Sequence, residues 1–156
     1  IAAHLAKNGF TGPSLPFDGR DGLLRGYGSE ENLARLTQGL GQPFELSITS
    51  VKPHACCRYN QGPIDLAIRL RDEHGIGPDD IASIEVGVVT AAIGIVVEPR
   101  DRKIRPTNDV DAQFSLPYAV GLGIAKGQAS LDEYAPEVLG DAGVLAVAVE
   151  KLHPAG

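Results

Sequence analysis

The amino-acid sequence predicts an α+β fold, a small sheet with several helices, from three observations. Apolar residues recur at helical spacing over 64–71, between a proline and a glycine placed as a helix start and stop. Short apolar or alternating runs at 44–48, 83–89 and 144–149 have strand character. Long polar connections separate these pieces, and no repeat or low-complexity tract occurs. The 156 residues, 43% hydrophobic and 22% charged, suit one soluble globular domain able to bury a core without disulfide or metal.

Residues 1–9 look like the tail of a helix. Ile1, Ala2, Leu5 and Ala6 share a face, and Gly9 stands where a helix stops. Residues 10–28 are dense in Gly and Pro and are expected to be loop, with a short helix near Leu23. Ser29 caps a short expected helix over 32–38, closed by Gly39 and Gly41. The alternation at 44–48 predicts a half-buried strand, and 52–61 a polar, irregular loop.

Pro63 fits the first turn of the clearest helix, where its missing N–H costs nothing, and Gly75 ends it. Pro78 turns the chain into a strand at about 83–89. The run 93–97 is expected to be a second strand or extended edge, and 100–109 an exposed charged connection. Residues 112–126 are expected to form one helix, with Pro117 in its first turn or kinking it. Residues 131–139 look short and helical. Residues 144–149 are expected to be a strand, with an Ala-rich helix as the alternative.

Composition excludes several functions. Fourteen basic against twenty acidic residues give a charge of −6, which disfavours broad phosphate-backbone binding. Four Phe, four Tyr and no Trp leave few stacking platforms, so no nucleic acid is expected as a partner. No apolar run approaches the roughly 20 residues of a membrane span. The absence of methionine and the helix already under way at Ile1 suggest a portion of a longer protein. Cys56 and Cys57 are adjacent, badly placed for an ordinary disulfide, and the chain lacks a zinc ligand pattern. Two free thiols point to a reducing compartment, with cytoplasm the default.

The segment 52–61 has the densest supply of reactive groups. It ends at a helix N-terminus, and Lys52 and Arg58 add positive charge to an acidic chain, a combination suited to a carboxylate ligand. The alternative is a solvated loop whose cysteines fill the core. Cys57 is either such a core thiol or a nucleophile or proton carrier activated by Arg58 and the helix end. His54 is near it in sequence, which does not establish a catalytic pairing. Tyr118 is either a core aromatic or, with Ser115, a donor at the edge of a pocket. His4, His74 and His153 are isolated and expected at the surface, and Asp109 and Asp111 are expected to open a helix. No phosphate loop, nucleophile elbow, dinucleotide fingerprint or HExxH motif occurs.

Four stretches in order, AAHLAKNGFTGP at 2–13, KPHACCRY at 52–59, IDLA at 64–67 and AQFSLPYAV at 112–120, together resemble the MmgE/PrpD family. That family includes dehydratases, decarboxylases and epimerases of small polycarboxylic acids. The resemblance implies a two-domain enzyme. Residues 1–28 would be the end of a helical domain and its connection, and 29–156 the α+β lid over the active site. The upstream helical part, which carries other active-site residues, would be a necessary partner, so these residues alone are expected to be inactive.

The implied reaction is proton abstraction beside a carboxylate without metal, cluster or other cofactor, by a homodimeric lyase. Lys52 and Arg58 would bind carboxylate, with Gln61 and Ser115 also at the substrate, and Tyr118 and Cys57 catalytic. Cys57 stands where the decarboxylase branch has histidine, and Gln61 replaces a histidine of dehydratase-like members. The departure at Cys57 argues against a decarboxylase and leaves dehydratase or isomerase, with a 2-methylcitrate dehydratase-like lyase as the first expectation. An isomerase or epimerase of the same family is the alternative, as is a non-catalytic binding or dimerisation module.

Overall fold

A computed structural model describes residues 1–27, 37–42 and 44–154. The helix expected over 32–38 falls largely outside the described residues. The chain divides into two compact units, Ile1–Thr49 and Ser50–Gly156.

The first unit contains helix α1 (Ala2–Lys7), helix α2 (Leu23–Tyr27) and a 3-10 turn at Glu45–Ile48. Gly9 follows α1 with φ 89°, the left-handed backbone its position predicted. The strand expected at 44–48 is instead that 3-10 turn. Ser47 Oγ donates to the Phe44 carbonyl at 2.5 Å and Thr49 Oγ1 to that of Glu45 at 3.0 Å. Such local side-chain bonds favour a turn over a ladder. Phe44, Leu46 and Ile48 are all exposed, so the alternation lacks a sheet face to serve.

The second unit is built around helix α3 (Gln61–His74) and helix α7 (Leu116–Lys126). Between them come strand β1 (Ile84–Val86), the short helix α4 (Thr90–Ala92), α5 (Arg100–Ile104) and α6 (Asp109–Gln113). Helix α8 (Ala142–Ala146) and strand β2 (Leu152–Pro154) follow α7. β1 and β2 form a parallel two-stranded sheet, with Ile84 opposite Leu152 and Glu85 opposite His153. The α+β architecture is therefore present, with most of the structure helical.

Helix α7 is the axis of this unit, buried from Leu116 to Ile124. One side packs in a cluster with Ile64, Cys56, Tyr134, Leu139 and Val144, the other in a cluster with Ala67, Val96, Val147 and Leu152. Two glycines permit the close approach. A Cβ on Gly121 would lie 2.7 Å from the Val144 carbonyl oxygen, and one on Gly123 2.7 Å from the Ala67 Cβ. Backbone thus packs on α8 and α3 almost without an intervening side chain.

Several expected elements differ. Residues 112–126 are not one helix, because Ser115 is extended, with φ −113° and ψ 116°. Its Oγ accepts from Tyr118 N at 3.0 Å and donates to the Lys103 carbonyl at 2.5 Å. With Pro117 in the new first turn, this starts α7 afresh after α6. The run 93–97 is a π-helical turn continuing α4, in which Ala92, Val96 and Val97 are buried. Burial at that spacing is helical, not alternate. Residues 144–149 belong to α8 and a following π turn, Val147–Lys151. Asp141 Oδ1 accepts from Val144 N at 3.0 Å, a helix cap preceding Ala-rich sequence. The connection expected at 100–109 contains α5, and 131–139 forms two 3-10 turns, Asp132–Tyr134 and Pro136–Val138.

Candidate functional site

The loop before α3 is held by backbone bonds and by one buried side chain. Ala55 N donates to the Ala129 carbonyl at 3.2 Å and Cys57 N to that of Gln113 at 2.9 Å. Gln61, in the first turn of α3, folds back under the loop. Its Oε1 accepts from His54 N at 2.9 Å, and its Nε2 lies 3.1 to 3.3 Å from the carbonyls of His54, Cys56 and Cys57 and from Cys56 Sγ. Asn60 Nδ2 faces the carbonyls of Gln113 and Ser115, each at 3.3 Å, across the α6–α7 junction. The loop is thus fastened to α3 and to the start of α7.

Above this frame lies a cavity of about 290 Å³ lined by Lys52, His54, Ala55, Cys56, Cys57, Gln113, Phe114 and Leu131. Lys52 is exposed, whereas both cysteines are buried and free. Burial pushes the Cys56 thiol up, and the nearby Tyr134 hydroxyl and Lys52 only partly offset it. Cys56 is therefore a protonated core thiol. Cys57 has a second cation close by. Lys103, at the end of α5, donates through Nζ to the carbonyls of Ile95 at 2.7 Å and Phe114 at 2.8 Å. Burial draws the Lys103 pKa down, while Asp111 and Cys57 act in the other direction.

His54 is the other polar wall. Its Nε2 lies 2.8 Å from Asp65 Oδ1, one turn into α3. Its side chain is 13% exposed, that of Asp65 62%. Spacing alone conceals this pair, because the two residues are joined by a loop-to-helix turn and not by a helical repeat.

The remaining candidate residues lie elsewhere. Arg58 is exposed in the 3-10 turn Arg58–Asn60 and does not line the cavity. Gln61 supports the loop from beneath, and Ser115 is fully buried as the α7 cap. Tyr118 is also fully buried, its ring centroid 6.0 Å from that of Tyr134. Its hydroxyl donates toward the carbonyls of Glu133 at 3.3 Å and Val138 at 3.5 Å. Burial, with Asp141 and Glu133 nearby, pushes its pKa up to about 12. That hydroxyl borders a separate cavity of about 260 Å³, shared with Lys126, Asp132, Glu133 and Asp141. The structure therefore brings Lys52 and Cys57 together and leaves Tyr118 on another wall of the unit.

The sequence reading missed Asp65, Lys103 and Gln113 at this site. Only folding carries α5 and the end of α6 to the Lys52 loop. Among the described residues no group of three or more His, Cys, Asp or Glu could hold a metal ion. No described helix is long and apolar enough to cross a membrane.

No curated protein matches the chain. The family model of the MmgE/PrpD C-terminal domain matches residues 54–150. That match spans the fastened loop from His54 onward, both central helices and α8, and it begins two residues after Lys52. By this match over more than half its length, the chain belongs to the MmgE/PrpD family.

Proposed function

We propose that this domain serves a cofactor-independent lyase acting on a small polycarboxylic acid, with 2-methylcitrate-like dehydration as the reaction. The observation that carries the reading is the Lys52 cavity, which Lys52, His54 and Cys57 line together in an acidic chain. Family membership adds to it. Removal of a proton beside a carboxylate leaves negative charge on that carboxylate, which a neighbouring cation stabilises in the transition state. Lys52 is the residue placed to do this. Cys57, beside the Lys103 ammonium, is placed to carry a proton.

In this reading Arg58 supplies positive charge on the outer side of the loop. Gln61, Ser115 and Tyr118 hold the loop and α7 in place, and they meet substrate only through the groups they position. Residues 29–156 form the lid and 1–28 the end of a helical domain, which completes the active site as part of a homodimer. The two free thiols suit the cytoplasm.

The test is to incubate the polypeptide carrying this domain separately with 2-methylcitrate and cis-aconitate, following ultraviolet absorbance of the conjugated alkene. A rise with 2-methylcitrate is expected. A fall with cis-aconitate and release of carbon dioxide would make the enzyme a decarboxylase, with Cys57 replacing histidine. Silence with both would transfer the assignment to epimerisation or isomerisation of another diacid.

A further inference from the structure

His54 lines the cavity beside the exposed Lys52. Its side chain is almost entirely shielded, yet its one hydrogen-bond partner among the described residues, Asp65, is mostly exposed. Its backbone N–H and carbonyl are both held by the Gln61 carboxamide, so the ring has a fixed origin. Asp65 fixes its orientation. With Nε2 committed to Oδ1 at 2.8 Å, Nδ1 is the ring nitrogen without a hydrogen bond among the described residues. Lys52 and His54, two positions apart, both line the same cavity.

We propose that His54 is a second carboxylate-binding group beside Lys52, and that Asp65 is its positioning residue. The proposal rests on the reading of this cavity as a polycarboxylate site and deepens it. A protonated ring keeps Nε2–H on Asp65 and offers Nδ1–H to a carboxylate as a charge-assisted bond. A neutral ring that donates through Nε2 presents only a lone pair at Nδ1, which repels the same ligand. The cavity therefore holds two carboxylates at once when His54 is charged, and one when it is not. The titratable or charged residues that line the cavity with His54 are Lys52, Cys56 and Cys57 on its own loop, and Asp65 on α3 meets the ring. The elements across the cavity contribute Gln113, Phe114 and Leu131, which do not titrate.

The experiment measures binding of D-tartrate, a dicarboxylate, to the polypeptide carrying this domain by nuclear magnetic resonance at about pH 6, with both ligand carboxylates ionised. Ring nitrogens are observed with labelled histidine. The wild type is expected to bind it, with the Nδ1 signal of His54 moving on saturation. His54→Asn should bind roughly tenfold more weakly, and Asp65→Asn should weaken binding in part while Asp65→Glu restores it. A His54 Nδ1 signal that stays still on binding, or His54→Asn binding equal to the wild type's, overturns the proposal while leaving Lys52 as the anion site. Unchanged binding in Lys52→Ala overturns the polycarboxylate reading of the cavity instead, and no binding by the wild type overturns both. An amide spectrum like the wild type's is required of each variant, so that weak binding reports the site and not the fold.

Discussion

Gln61 shows how a residue near a site can matter without touching its ligand. Its carboxamide serves the His54, Cys56 and Cys57 backbone at once and is almost fully buried. Gln61→Leu is expected to leave those groups unpaired, costing about 1–3 kcal/mol. Urea unfolding of the variant measures the loss, and binding at the Lys52 cavity should fall with it. Tyr118 gives a different signature. Its pKa is raised to about 12, so the native state holds the proton more tightly than the unfolded chain. That contribution is complete below the ordinary tyrosine pKa near 10 and is lost as pH rises from there toward 12. Wild-type stability should therefore drop in that alkaline window, and Tyr118→Phe should lose this part of the drop. An unchanged alkaline profile in Tyr118→Phe would assign the drop to other groups.

At the scale of elements, caps decided what hydrophobic runs left open. The helix over 61–74 was legible because Pro63, the apolar spacing and Gly75, at φ 62°, all agree. The run at 144–149 was not, because Val and Ala alternate there as well in a strand as in a helix. Asp141 resolved it by accepting from Val144 N. Ser115 likewise divided an expected long helix, since a serine cap is visible only when its partner N–H is known. Asp141 also contacts the Lys126 ammonium, and that contact, then the Val144 N–H, holds its carboxyl below the usual range. Its contribution is present above the unfolded carboxylate pKa and is lost as pH falls through the lower native value. Asp141→Asn should flatten that part of the acid limb in urea titrations followed as a function of pH. Gly121→Ala, which places a Cβ against the Val144 carbonyl, should destabilise by about 1–3 kcal/mol. A melting temperature equal to the wild type's would show that α7 and α8 can separate freely.

For the whole molecule, the α+β class and the Lys52 loop could be anticipated, but the walls of the cavity could not. The loop announced itself by its concentration of Lys, His, Cys and Arg. Lys103 and the lining residue Gln113 gave no comparable signal, because α5 and α6 reach the loop through tertiary packing, and Asp65 meets His54 only across the loop-to-helix turn. Tyr118 was expected near substrate from its place in the 112–120 stretch, and packing against Tyr134 directs its hydroxyl elsewhere. In the polypeptide carrying this domain, Lys52→Ala is expected to lower kcat/KM by roughly 10- to 100-fold, on the order of 1.4–2.7 kcal/mol of transition-state stabilisation. Steady-state kinetics at saturating and limiting substrate separate binding from turnover.

The pairing of Ile84 with Leu152 joins the early and late parts of the second unit through only three residues on each side. Closing so long a loop yields little reward until the intervening helices have packed. The strand pair should therefore be a late event in folding and an early one in local opening. Amide protons of Ile84–Val86 should exchange faster than those of α7, and a Leu152→Ala change should accelerate unfolding more than it slows folding.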